Sequence, residues 1–277
     1  MKEKINVYEI VTNKIIEQLE QGVIPWRKPW TNVNAVNWVT QKPYRGINTM
    51  LLQPGEYATF KQIVDAGGKV KLGEKSQIVV FWKWIDKENE ETGKPEKIPF
   101  LRYYRVFEIN TQVEGLQSKR ENASFEHNPI EEAEAVVKSY INCPTYSFNS
   151  GDAYYLPPMD HINVPPMKDY KNIDEYYCTF FHEMVHSTGH KSRLNRPGII
   201  EKASFGDEIY SKEELVAEMG ASMLCAISGI DSSTIQNSAS YISSWLRVLK
   251  GDSRLVVQAA AQGQKAADYI LGTKFEN

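Results

Sequence analysis

Residues 179–196 read TFFHEMVHSTGHKSRLNR, and their chemistry depends on where three side chains fall. His182 and His186 are four apart. On a helix both imidazoles then lie on one face and can offer nitrogens to one cation. Glu183 sits about 100° round the helix from His182, beside such an ion rather than on it. A general base must stand there to take a proton from metal-bound water. With only 5 histidines in 277 residues, an H-E-x-x-H match by chance is improbable.

A catalytic zinc site usually takes a third protein ligand and leaves one position open for water. His190 follows the motif, but the spacing that would make a third histidine a ligand falls on Ser192. His190 therefore reads as a helix-end residue. The stretch SKEELVAEMGASML offers Glu214 and Glu218, again four apart. One can ligate while the other orients a ligating histidine, and Glu214 is placed ahead of Glu218. Ser211 and Glu214 also match a capping box, in which the carboxylate would only cap a helix. Two histidines and a glutamate suit Zn2+, and Mn2+ or Co2+ can occupy the same mixed donor set. Such an ion would lower the pKa of its water to about 7, and the expected reaction is peptide or amide hydrolysis. Tyr154, Tyr155 and Tyr210 are candidates for a hydroxyl facing the developing oxyanion. The segment DAYYLPPMDHINVP could hold an extended peptide by edge pairing.

The elements that must position these groups follow from periodicity. The motif lies on a helix predicted over 173–188, with Asn172 and Glu175 as its capping box and Gly189 after its end. A helix around PIEEAEAVVKSYI and short strands around TYSFN, DAYYLPP and DHINVPP precede it. Helices over 211–228, 233–249 and 252–271 follow. Cys178, one turn before His182, reads as a small buried residue. Near the N-terminus, NVYEIVTNKIIEQLEQG is an amphipathic helix opened by Asn6 and Glu9 and stopped at Gly22. A second helix is expected over YATFKQIVDAGG. SQIVVFWKWI and LRYYRVFEI should pair as strands across a charged loop. From 116 to 128 the periodicity lapses. The expected organisation is α+β, with a first domain over 1–115, a linker over 116–128 and a mainly helical second domain with a short sheet over 129–277.

Composition separates the two parts further. The net charge of −3 conceals 17 Lys/Arg against 14 Asp/Glu in residues 1–115, so +3, and −6 in the remainder. Residues 24–84 hold 9 basic and 3 acidic residues and 5 of the 6 tryptophans. Cations for phosphates and flat faces for bases are what single-stranded nucleic acid requires. The candidates are Trp26, Arg27, Lys28 and Trp30 in PWRKPW, Tyr44, Arg45 and Asn48 in KPYRGIN, and Lys75. Trp82 and Trp84 alternate with Phe81 and Lys83 and read as core. No apolar run approaches the length of a membrane span, and three cysteines without a C-x-x-C pair fit a reduced, cytoplasmic protein.

The segments GVIPWRKPW, KPYRGIN, YATFKQIVDAGGKVKLGEK, TQVEGL, HEMVHSTGHKSRLNR and EELVAEMGASML, in this order, resemble the ArdC-type antirestriction proteins of plasmids and other mobile elements. The resemblance runs from about residue 7 to about 270. It implies an N-terminal domain that binds single-stranded DNA, a C-terminal zincin-like metallopeptidase domain, and protection of incoming DNA from host restriction. By motif, His182, Glu183 and His186 correspond to the family's H-E-x-x-H residues, and the glutamate of EELVAE corresponds to Glu213, Glu214 or Glu218. Ser187 departs from the aromatic that often follows the second histidine in such sequences. The competing expectation is a DNA-binding shield whose metal site is structural or partner-binding, with no protein substrate.

Overall fold

The computed structural model describes residues 6–26, 35–88, 95–120, 129–170, 172–200, 208–230 and 239–273, and within them the side chains of 82–88, 95–100, 129, 208, 239–242 and 244 are not described. Two compact units emerge. One comprises residues 1–10 and 33–124, the other 11–32 and 125–277. The sequence therefore does not divide between them at a single point.

The first unit is built on a four-stranded sheet, in the order β1 (Ala35–Asn37), β2 (Gly55–Thr59), β5 (Pro95–Glu108), β4 (Gln77–Glu88). The expected β4–β5 hairpin forms in antiparallel register, Gln77 opposite Val106 and Phe81 opposite Arg102. Short helices α2 (Asn48–Leu51), α3 (Phe60–Asp65) and α4 (Ile109–Gln112) and the two-stranded pair β3 (Lys69–Val70) and β6 (Val113–Glu114) complete the unit. The helix expected over YATFKQIVDAGG starts late. Tyr57 to Thr59 are strand, and α3 begins only after Thr59, whose hydroxyl and Gln62 form a capping box. Tyr57 is fully buried beside Leu52, Val79 and Val106, and Ala58 beside Trp38, Ile63 and Ile109, so tertiary burial overrides helix propensity there. Residues 117–119, expected in the linker, are fastened to this unit. Gln117 O accepts from the Trp38 indole at 2.9 Å, and the Lys119 amide donates to the buried Glu56 carboxylate at 2.9 Å.

The second unit is mainly helical. The chain enters it along α1 (Val7–Glu20), whose Val11, Ile15 and Leu19 are buried. Gly22 ends α1 in the left-handed region at φ 76°. The Thr12 hydroxyl donates to Ser253 O at 2.6 Å, and Lys250 meets Glu20 at 2.6 Å. Then come α5 (Pro129–Ser139), the three-stranded sheet β7 (Thr145–Ser147), β8 (Tyr154–Leu156) and β9 (His161–Asn163), α6 (Ile173–Thr188), α7 (Pro197–Ile200), α8 (Glu208–Ser228), α9 (Ala239–Gly251) and α10 (Leu255–Leu271). In the sheet, β9 lies between a parallel β7 and an antiparallel β8, which leaves β8 at the edge. No described helix is long and apolar enough to cross a membrane.

The central packing is α6 on α8 and α8 on α10. Gly220 of α8 and Gly263 of α10 face each other so closely that a Cβ on Gly263 would lie 2.9 Å from Gly220 N and 3.1 Å from Val216 O. Cys178 of α6 and Cys225 of α8, both free thiols, touch in the same core with Sγ atoms 3.0 Å apart. A backbone obstacle cannot swing aside like a side chain. Gly263→Ala should therefore lower unfolding stability by about 1–3 kcal/mol in urea titration, whereas Gly251→Ala, with open space around it, should shift it by less than about 0.5 kcal/mol.

Candidate metal centre

α6 forms where its caps and stripe require. The Asn172 side chain accepts from the Asp174 amide at 2.9 Å, Gly189 follows the last turn, and Phe181, Met184 and Val185 are fully buried. That burial turns His182, Glu183 and His186 toward a cleft of about 730 Å3. Its walls include Tyr154 and Tyr155 of β8, Pro157 and Pro158, Ile199 and Ile200 of α7, and Tyr210, Glu213 and Glu214 of α8.

Three donors converge in it. His182 Nε2 and His186 Nε2 are 3.0 Å apart, with Glu214 Oε2 3.4 Å from the first and Oε1 3.3 Å from the second. Among the described residues this is the one group of ligating side chains close enough to share an ion. Ligands about 2.0–2.1 Å from a tetrahedral zinc ion stand roughly 3.3–3.4 Å from one another, so the donor set fits such an ion. A second feature points the same way. His186 Nδ1 faces the Glu213 carboxylate at 3.3 Å. An Nδ1–H donated there leaves Nε2 as a bare lone pair, directed at a second imidazole nitrogen. Only a proton or a cation between them relieves that opposition.

Of the two glutamates left open by the sequence, Glu214 joins the donors and Glu218 does not. Glu218 stands at the far side of the His182 ring, 3.9 Å from Nδ1. The capping reading of Ser211 and Glu214 does not hold, because α8 starts at Glu208 and Ser211 is a buried residue inside it. His190 bonds Ser192 Oγ through Nδ1 at 2.7 Å and lies outside the donor group.

Electrostatics match the geometry. Burial pushes the Glu183 carboxyl above its ordinary range, against the pull of His182 and His186, while a backbone hydrogen bond from Tyr155 favours its charged form. Burial drives Glu214 up too, but the two histidines outweigh it and hold the carboxylate ionised. Burial would lower His186. The carboxylates of Glu214 and Glu213 prevail and raise it well above the usual imidazole range. Of the three tyrosines considered for an oxyanion role, Tyr155 commits its hydroxyl to Asp160 at 2.7 Å, where Arg193 also binds. Tyr154 and Tyr210 line the cleft.

Two residues important to this arrangement were not identified from sequence as a pair. Arg196, 4% exposed, donates to Glu213 through Nη2 at 2.6 Å and Nε at 3.0 Å. It also donates to the Thr188 hydroxyl at 2.6 Å and the Val185 carbonyl at 2.8 Å. It thus satisfies the end of α6 and fixes the carboxylate that orients His186. A Cβ on Gly198 would lie 2.6 Å from that of Glu213, so the approach needs glycine.

The expected nucleic-acid residues fall into three groups. Arg27, Lys28 and Trp30 lie outside the described residues. Trp26 is 3% exposed and meets Trp245 edge to face at 5.2 Å within the helical unit, so it offers no face to a base. Tyr44 and Asn48 are buried too. Tyr44 packs in the core with Tyr57, and the Asn48 amide clasps Val80 N and O at 2.7 and 2.8 Å. Arg45 is half-buried and Lys75 exposed.

A cleft with two helix-borne histidines, a glutamate from the next long helix and a buried glutamate beside them defines a zincin-like metallopeptidase domain, and the model of that family matches residues 131–262. A second model, for the N-terminal domain of anti-restriction factor ArdC, matches residues 5–107. The crystal structure of antirestriction ArdC protein from the R388 plasmid superposes with a TM-score of 0.75 at 35% identity over 96% of this chain and 97% of that one. Its Mn(II)-bound form matches at 34% identity over 97% and 98%. The chain belongs to the ArdC antirestriction family. It is also 30% identical to the uncharacterized protein y4eC of Sinorhizobium fredii over 96% of this chain and 91% of that one. The DNA primase TraC of Escherichia coli is 33% identical over 98% of this chain, which spans only 20% of that protein's length.

Arg196→Met keeps most of the side-chain volume and strands the Glu213 carboxylate in the interior. Denaturant unfolding should register a loss of about 3–5 kcal/mol, against less than about 0.5 kcal/mol for Lys191→Met at the exposed rim.

Proposed function

We propose that this chain is an antirestriction protein of a mobile element that binds single-stranded DNA and carries a metal-dependent peptidase site. The observation that supports the peptidase part is the convergence of His182 Nε2, His186 Nε2 and Glu214 within 3.0–3.4 Å, with buried Glu183 in the same cleft. The three side chains would hold one divalent cation, with Zn2+ the first assignment on donor type. Mn2+ is supported by the R388 protein's Mn(II)-bound structure, and Co2+ fits the same donors. Bound there, the ion supplies Lewis acidity to a carbonyl and to water.

The rest belongs to the chain. Glu183, raised by burial, is the group that takes and returns a proton. Glu213 keeps His186 in the tautomer whose Nε2 faces the donor group. Edge strand β8 offers an extended peptide main-chain pairing alongside the cleft. The substrate class would be protein near single-stranded DNA, and the likeness to two E. coli DNA primases supports a setting in DNA transfer or processing.

Titration calorimetry with Zn2+, Mn2+ and Co2+ should show one site per chain, abolished in His186→Ala. Glu183→Gln should keep that site and lose about 100- to 10,000-fold in cleavage of an unfolded protein presented with single-stranded DNA. Metal binding without cleavage, together with antirestriction activity that survives Glu183→Gln, would replace the peptidase with a shield. Glu213→Gln should weaken metal affinity by about 10–100-fold with the fold retained; an affinity unchanged from wild type would remove its orienting role.

A further inference from the structure

The aromatics that composition suggested for a nucleic-acid face and those the fold exposes are different residues. Phe81 on β4 is 47% exposed and Tyr104 on β5 is 42% exposed. In the antiparallel register Val79 faces Tyr104 and Phe81 faces Arg102. Phe81, Tyr104 and Arg102 therefore share one face of the hairpin. The two rings meet edge to face with centroids 5.3 Å apart, and Tyr44 braces Phe81 at 6.4 Å. Beside them on the same face Val79 and Val106 are fully buried with Tyr57, and the Asn48–Val80 clasp anchors the loop that carries Tyr44. The scaffold thus holds two rings half in solvent.

Charge narrows the partner. Segments 75–81 and 101–107 contain no carboxylate, and of their cations Lys75, Arg102 and Arg105 the last lies on the other face, opposite Ile78. Arg102 is exposed on the ring face itself. An acidic peptide would answer the cations and leave the ring surfaces unused. A single strand answers both, since its phosphates meet cations while its bases stack on aromatic faces.

We propose that the Phe81–Tyr104 face, with Arg102 beside it, is a stacking platform for single-stranded DNA. It rests on the DNA-binding part of the proposed function and gives that part a location. Phe81 and Tyr104 take base faces, and Arg102 neutralises a phosphate.

The test is fluorescence anisotropy of a labelled oligodeoxythymidine of about 20 nucleotides, longer than one such site, with the full chain across a salt series. Phe81→Ala and Tyr104→Ala should each weaken binding by about tenfold or more and leave the slope of log affinity against log salt unchanged. Phe81→Trp should restore affinity. Arg102→Gln should flatten the slope by about 0.7. A change in slope in the ring variants would contradict a stacking role. Wild-type affinity in both alanine variants would remove this face while leaving DNA binding standing. An intact protein that binds no single strand would remove both. Tighter binding of RNA of matched sequence, or displacement of the oligonucleotide by an acidic peptide at equal concentration, would assign the face to another partner and overturn the proposal. Should an alanine variant unfold, Phe81→Leu and Tyr104→Leu, apolar but without a ring face, carry the same expectation.

Discussion

One buried cation sets the terms for the cleft. The Arg196 guanidinium reaches the carbonyl end of α6, the Thr188 hydroxyl and the Glu213 carboxylate. A charge at 4% exposure survives only if its donors are answered, and here carbonyls, a hydroxyl and a carboxylate answer them. Without Arg196, Glu213 would be a buried anion left with His186 alone. Together they fix how α8 lies against the end of α6 and so where Glu214 stands relative to His182 and His186. Gly189 and Gly198 follow from the same constraint. A Cβ on the first would meet Ile199 at 2.5 Å and Arg196 at 3.0 Å, and one on the second would meet Glu213 at 2.6 Å. The arrangement is a local knot of charge with the metal-donor group built against it.

What the sequence revealed and what it hid divide along range. The motif helix was legible to its ends because its signals are local: an Asn cap, an i, i+4 histidine pair, a buried stripe and a terminal glycine. Glu214 was visible only as one of two glutamates. The choice depends on the rotation of α8 about its own axis, which packing against α6 and α10 sets. The Ser211–Glu214 pair mimicked a cap because the pattern contains nothing that says the helix has already begun at Glu208. Arg196 and Glu213 went unpaired for a plainer reason. They are 17 residues apart on different elements, and each reads alone as an ordinary surface charge.

The aromatic residues make the same point from the other side. Composition counts rings without saying which way they face. Trp26 looked like a binding residue between two prolines, yet the chain carries it into the helical unit against Trp245, with its carbonyl accepting from the Ser222 hydroxyl. Tyr44 looked exposed beside Arg45 and instead packs under the hairpin. Two of the rings left in solvent, Phe81 and Tyr104, lie in strands whose alternation reads as core. Phe81 and Tyr104 share a face with the buried Val79 and Val106, and the cover over that face stops short of them. Coverage is a tertiary fact that the period-two pattern cannot carry.

The edge strand connects the base to whatever lies along it. Tyr155 of β8 contributes its backbone to Glu183 and its hydroxyl to Asp160, and Arg193 joins Asp160 to the Ser187 carbonyl near the end of α6 at 2.8 Å. The strand's height above the motif helix is therefore held through one residue, by its backbone and by its hydroxyl. The Tyr155 amide is spent on Glu183, so a chain at the open edge of β8 would pair through the strand's other main-chain groups. A chain extended there would lengthen the sheet by one strand and pass beside the donor group. Its position would be referred, through Tyr155, to the Glu183 carboxylate. The spacing of β8 and α6 on this side of the cleft is thus set through one residue of a three-residue strand.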